Sequence, residues 1–181
     1  MKKRDFLKTS AIAASSVFLP KSLISNEQSS KKLRTAHIGV GGMGFEDLKA
    51  ISSHEHVEIV GLCDVDAEAL VKSKLRFPNV KTFKDYRVML NELSDKIDAV
   101  IISTPDHTHA PAALMAMKKN KAVYCQKPLA HHVSEVREMR KIAEEKNLIT
   151  QMGIQVHSFY DYKLATLLIQ SGIVGRVSRV I

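Results

Sequence analysis

Aromatic residues are scarce in this chain, 6% of 181 residues with no tryptophan, and they are not interleaved with its cations. A net charge of +8 without stacking platforms does not read as a nucleic-acid surface. The lysines and arginines are scattered along helix-like segments and the amino-terminal tail. Removing residues 1–32 would take away seven basic and two acidic side chains and leave about +3, so a solvated basic surface with no nucleic-acid partner is expected. Cysteine occurs only at 63 and 125, at the ends of different predicted strands. As the second and fifth strands of a sheet ordered 3-2-1-4-5 they would lie roughly 14 Å apart at about 4.8 Å per strand, beyond disulfide reach. Cysteine usage therefore leaves the compartment open. No apolar run is long enough to span a bilayer, and there is no internal repeat or low-complexity tract. What remains is a chain whose length and 45% hydrophobic content suit one full domain.

The first residues speak to compartment. Lys3-Arg4-Asp5-Phe6-Leu7-Lys8 resembles the bacterial twin-arginine export signal with lysine in the first arginine position, followed by a weakly apolar run from Ala11 to Leu19. This pattern predicts a periplasmic protein, or a cytoplasmic one if the signal does not function. Stable membrane insertion is not expected, and no cysteine here could accept a lipid. Residues 22–32 read as a polar linker.

From Leu33 onward, strand-like and helix-like patterns alternate. Strands are predicted over 35–40, 57–63, 79–83, 98–103, 121–125 and 148–152. Helices are predicted over 44–52, 66–76, 85–93, 109–119 and 133–146. This alternation specifies an α/β fold, a Rossmann-type doubly wound parallel sheet with helices on both faces. A further helix over 159–171, a glycine turn at 172–175 and a strand over 176–181 read as the interdomain helix and first strand of a truncated α+β second domain. The expected organisation is 1–32 signal and linker, 33–155 nucleotide-binding domain, and 156–181 the start of the second domain. A strand of Val177, Val180 and Ile181 needs neighbours, which suggests the front portion of a longer protein.

Gly39-Val40-Gly41-Gly42-Met43-Gly44 carries the spacing G-x-G-x-x-G between a predicted strand and a predicted helix. Gly39 suits the tight turn, Gly41 the close approach of backbone to a pyrophosphate, and Gly44 the packing of helix on strand. Asp64, twenty residues beyond Gly44 at the carboxyl end of the second strand, can accept the ribose hydroxyls of an adenosine. A fixed anion there favours NAD over NADP.

Ligands of an open α/β sheet bind beyond the carboxyl ends of the strands. The loop Ser103-Thr104-Pro105-Asp106-His107-Thr108-His109 ends the fourth main strand, so Thr104 and Pro105 can line the nicotinamide ribose and His107 can face the substrate opening. His109 can meet the cofactor or cap the next helix. The two histidines lack a third ligand, so no metal is expected. The fifth strand ends in Gln126-Lys127-Pro128, which aims an ammonium at the same crevice, where it can bind a substrate hydroxyl or hold the proton moved with hydride transfer, with Gln126 expected against the cofactor. Gln155 follows the sixth strand and can touch the nicotinamide or the sugar. His54-Glu55-His56 reads as a solvated turn. His131-His132 reads as a surface or capping pair before a helix whose Ser134-x-x-Arg137 lacks a capping-box acid.

The glycine loop, Asp64, the Thr104-Pro105 loop with His109, and Gln126-Lys127-Pro128 together resemble the Gfo/Idh/MocA family of glucose-fructose oxidoreductases, inositol dehydrogenases and rhizopine catabolism enzymes. The resemblance runs from Leu33 to Ile181. It implies NAD as cofactor, a sugar or cyclitol as substrate, homo-oligomerisation through a second domain, and Lys127 as the proton-handling residue of the family's Glu-Lys-Pro motif. Gln126 stands where that motif has glutamate, which removes a carboxylate beside the lysine. Three activities fit: a sugar or cyclitol dehydrogenase, an NAD-dependent glycosidase that oxidises its sugar transiently, and a nucleotide-binding module without catalysis.

Overall fold

The computed structural model describes residues 32–179. The export-signal motif, most of the expected linker, and Val180 and Ile181 lie outside the described residues. Strands β1 (Leu33–Ile38), β2 (Val57–Cys63), β3 (Lys81–Phe83), β4 (Ala99–Ile102), β5 (Ala122–Gln126) and β6 (Thr150–Gly153) form one sheet in the order β3-β2-β1-β4-β5-β6. Every pairing is parallel. Helices α1 (Gly42–Ser52), α2 (Ala67–Arg76), α3 (Tyr86–Glu92), α4 (His109–Lys118) and α5 (Val133–Lys146) make the crossovers, and α6 (Tyr160–Gln170) follows β6. The order reverses between β1 and β4, and that switch point opens the crevice beyond the strand ends.

Alternation along the strands builds a core on each face. Ala36, Ile38, Val100 and Ile102 join α3, α4 and α5 residues such as Leu90, Ala113 and Ile142 in one layer. On the other face, Leu62 packs with Val40, Leu48 and Leu70 from the glycine loop, α1 and α2. Four alanines of α4 (Ala110, Ala112, Ala113 and Ala116) are at most 1% exposed, so that helix lies close against the sheet. At the opposite rim, Arg34 joins β1 to the start of β4, its Nε and Nη2 donating to Asp98 at 2.9 and 2.6 Å.

The helix starts differ in a way that bears on function. Asp66 caps α2 by accepting from Glu68 N, and Asp85 caps α3 by accepting from Arg87 N, both at 2.8 Å. At α1 the capping position is Gly41 and no side chain caps it. No side-chain cap therefore stands between this helix start and a ligand anion. For α5 the cap is His132, whose N–H donates to Glu135 Oε2 at 3.0 Å, so the helix starts earlier than Ser134 and does have its reciprocal acid. Helix α6 buries none of its residues. The strand expected over 176–181 is not formed over its described part, 176–179. Strand geometry there needs a paired backbone, and no strand of the sheet pairs with it.

Candidate functional site

β1 ends one residue before Gly39, whose φ of +83° turns the chain out of the strand. A side chain is excluded at this point, because a Cβ would lie 2.6 Å from the Ser103 carbonyl oxygen. Gly44 seats α1 against the turn, and a Cβ there would fall 2.2 Å from the Gly39 carbonyl oxygen. Gly41 borders the cleft with ordinary φ, and its Cβ would meet Ala69 Cβ at 3.3 Å. Gly42 has φ of +49° and open space around it. The loop thus shapes a backbone cradle with no side chain in the way of a phosphate.

Asp64 holds this cradle. Its Oδ2 accepts from Val40 N at 2.8 Å and Gly41 N at 3.2 Å, and its Oδ1 accepts from Asp66 N at 3.0 Å. A carboxylate offers about four acceptor sites, so three backbone donors leave capacity for a ribose hydroxyl. A cleft of about 500 Å³ runs from Asp64 and Ala69 past Gly39 and Gly41 to Ser103, Thr104, Pro105 and His107. Thr104 Oγ1 is buried and without a hydrogen-bond partner, in the wall expected to meet the nicotinamide ribose. Lys84 and Tyr86 also line the cleft. They follow the carboxyl end of the three-residue β3, and the strand-end rule applied to so short a strand would have found them. Cys63 shares the wall, with burial first and then the charges of Asp64 and Asp85 pushing its thiol up to about 12.

The other half of the rim carries Lys127, exposed at the end of β5 in a cis peptide with Pro128. Two expectations for this half are corrected. His109 does not face the cleft: it is 1% exposed, and its Nδ1 and Nε2 lie 2.6 and 2.7 Å from the carbonyl oxygens of Pro128 and Thr104. With both nitrogens engaged, the ring ties the β4 loop to the β5 loop and has none to spare for a cofactor. Gln126 is 6% exposed and its Nε2 donates to Asp47 Oδ2 at 2.8 Å, so its side chain points into α1 and away from any ligand. Gln155 reaches back to the glycine loop, its Nε2 lying 3.8 Å from Met43 Sδ. Asp47 itself was missed, because an acid one turn into a helix looks solvent-facing by pattern alone. Among the described residues, no group of three or more His, Cys, Asp or Glu could hold a metal ion, and no helix is long and apolar enough to cross a membrane.

Residues 33–154 match the model of the oxidoreductase family with an NAD-binding Rossmann fold that carries the names Gfo, Idh and MocA. The chain belongs to this family. It is 36% identical over 135 residues to a glycosyl hydrolase family 109 protein of Stenotrophomonas maltophilia, covering 70% of this chain and 29% of that protein. It is 34% identical over 154 residues to an alpha-N-acetylgalactosaminidase of Shewanella oneidensis, covering 80% and 33%. Among solved structures, the myo-inositol 2-dehydrogenase of Lactobacillus plantarum superposes with a TM-score of 0.74 at 29% identity, covering 81% of this chain and 43% of that one. The chain spans about a third of the length of these curated relatives. NAD is the cofactor of this domain, and the uncapped α1, the bare glycine cradle, the Asp64 carboxylate and the unpaired Thr104 hydroxyl fit it.

Proposed function

We propose that the protein oxidises or reduces a carbinol carbon of a sugar, cyclitol or derivative with NAD. The observation that carries this reading is the placement of an exposed lysine at the end of β5 on the rim that also holds the glycine cradle. When bound, NAD supplies the hydride acceptor or donor at nicotinamide C4. Gly39 to Gly44 hold the pyrophosphate, Asp64 holds the adenosine ribose, and Thr104 and Pro105 line the nicotinamide ribose. Lys127, as the free amine, takes up the proton that the substrate hydroxyl releases in oxidation and, as the ammonium, gives it back in reduction. His107 and Gln155 border the substrate opening. Export by the twin-arginine-like leader places the protein in the periplasm, which cell fractionation tests.

A second reading is favoured by the 36% and 34% identities to the glycosyl hydrolase family 109 protein and the galactosaminidase, against 29% to the inositol dehydrogenase. In it the sugar is oxidised transiently, the aglycone is eliminated, water adds in its place and the sugar is reduced again, so that a glycosidic bond is cleaved with no net change in NAD. Two assays separate the readings. Accumulation of NADH with myo-inositol and NAD supports the dehydrogenase. Release of nitrophenol from p-nitrophenyl α-N-acetylgalactosaminide, without NADH accumulation, supports the glycosidase. Bound NAD with neither activity across a panel of sugars, cyclitols and their nitrophenyl glycosides defeats both.

A further inference from the structure

Asp47 lies in α1, 7% exposed, where its Oδ2 accepts from Ser103 Oγ at 2.6 Å and from Gln126 Nε2 at 2.8 Å. One carboxylate oxygen thereby joins the helix behind the glycine cradle, the loop carrying Thr104 and Pro105, and the strand end carrying Lys127. The Gln126 amide also lies against Gly153. Its Oε1 and the Tyr124 hydroxyl occupy the space that a Cβ on Gly153 would enter, at 2.9 and 2.7 Å. The Tyr124 phenol is pushed up by burial and then by the Asp47 charge, so it too lies within that carboxylate's field. The groups that donate to Asp47 are thus a hydroxyl and an amide, and they, like the phenol within its field, are neutral at pH 7.

This arrangement gives a physical reason for glutamine at 126. A carboxylate in its place would put a second anion about 2.8 Å from Asp47 in a buried setting, where one of the two must take a proton or the loops must part. We propose that Asp47 is a positioning residue. It holds on α1 the negative charge that the Glu-Lys-Pro pattern would hold on β5, and through Gln126 and Ser103 it keeps Lys127 and the Thr104–Pro105 loop in register with the cradle. The proposal rests on the site reading above for the role of Lys127, but not on the identity of the substrate.

The test is a charge swap in the full chain, comparing Gln126→Glu, Asp47→Asn and the double variant by NAD affinity and urea midpoint. Gln126→Glu should weaken NAD binding about tenfold at neutral pH, with the deficit shrinking toward pH 4 as the facing carboxylates share a proton. Asp47→Asn keeps an oxygen for both donors and should cost about threefold. The double variant restores one anion facing one amide, and its NAD affinity should return to within about threefold of wild type. A role in packing alone would move the urea midpoints but leave folded variants with unchanged NAD affinity and no pH dependence. Additive losses in the double variant, a double variant that does not fold, or Gln126→Glu binding NAD like wild type would each overturn the proposal. Wild type without activity but with the swap rescue intact would instead remove the proposed function and leave Asp47 in place.

Discussion

Gly41→Ala and Gly44→Ala should separate folding from NAD binding within one loop. At Gly44 the added methyl falls 2.2 Å from the Gly39 carbonyl oxygen and 3.2 Å from Ser103 Cβ. The first neighbour is backbone of a turn whose N–H is bonded to the Cys63 carbonyl at 2.8 Å, so it cannot rotate aside. Strand and helix must separate by about 1 Å, at the upper end of the ~1–3 kcal/mol typical of overpacking. The better helix propensity of alanine returns up to about 1 kcal/mol. A net loss of about 2 kcal/mol lowers the Tm of a domain this size by roughly 4–8 °C. At Gly41 the methyl meets only Ala69 Cβ at 3.3 Å and Asp64 Oδ2 at 3.9 Å, with φ of −97°. Folding should then change by about 0.5 kcal/mol or less. In the proposed placement of NAD that methyl stands where the backbone approaches the pyrophosphate, so NAD affinity should fall about tenfold or more, equivalent to about 1.4 kcal/mol. Thermal melts and NAD titrations on both variants provide the check. Wild-type NAD affinity in Gly41→Ala, or a wild-type Tm in Gly44→Ala, would refute the reasoning.

Lys127→Ala should abolish most turnover while leaving NAD affinity nearly unchanged, since the side chain is exposed at the rim and outside the cradle; full turnover would remove it from the mechanism. His37 is fully buried, and burial pushes its imidazole down to about 3 from the usual 6.5. The unfolded chain takes this proton first, so the stability involved is complete above about pH 6.5 and is lost as pH falls toward 3, at about 1.4 kcal/mol per unit. Wild type should lose about 2 kcal/mol between pH 7 and 5 from this ring, and His37→Leu should flatten that part of the urea-midpoint profile. Parallel wild-type and variant profiles would show that the ring is not held neutral.

The sheet was legible because its signals are local: runs such as Ala99–Ile102 between helical patterns fix element type, and chain connectivity fixes the order around β1. The glycine loop was legible because Gly39 and Gly44 each answer a clash that the fold imposes. The boundaries of β1 shifted by two residues, since the positive φ at Gly39 ends the strand before Val40. What stayed hidden was side-chain direction. Gln126 ends β5 and His109 begins α4, both at the rim of the site, but the Gln126 amide nitrogen is taken by Asp47 and the His109 ring nitrogens by Pro128 and Thr104. Those partners come from distant parts of the chain: Asp47 and Gln126 are 79 residues apart, and no sequence period links them. The strand over 176–181 looked regular by composition, yet strand geometry depends on a neighbour that composition does not reveal.

The most direct measurement of the central claim is calorimetric titration of the folded chain with NAD and, separately, NADP. Saturable heat with NAD and binding at least about tenfold weaker with NADP is the predicted result, because the Asp64 carboxylate accepts hydroxyls and repels a ribose phosphate. Heat from neither coenzyme, or tighter binding of NADP, would contradict it.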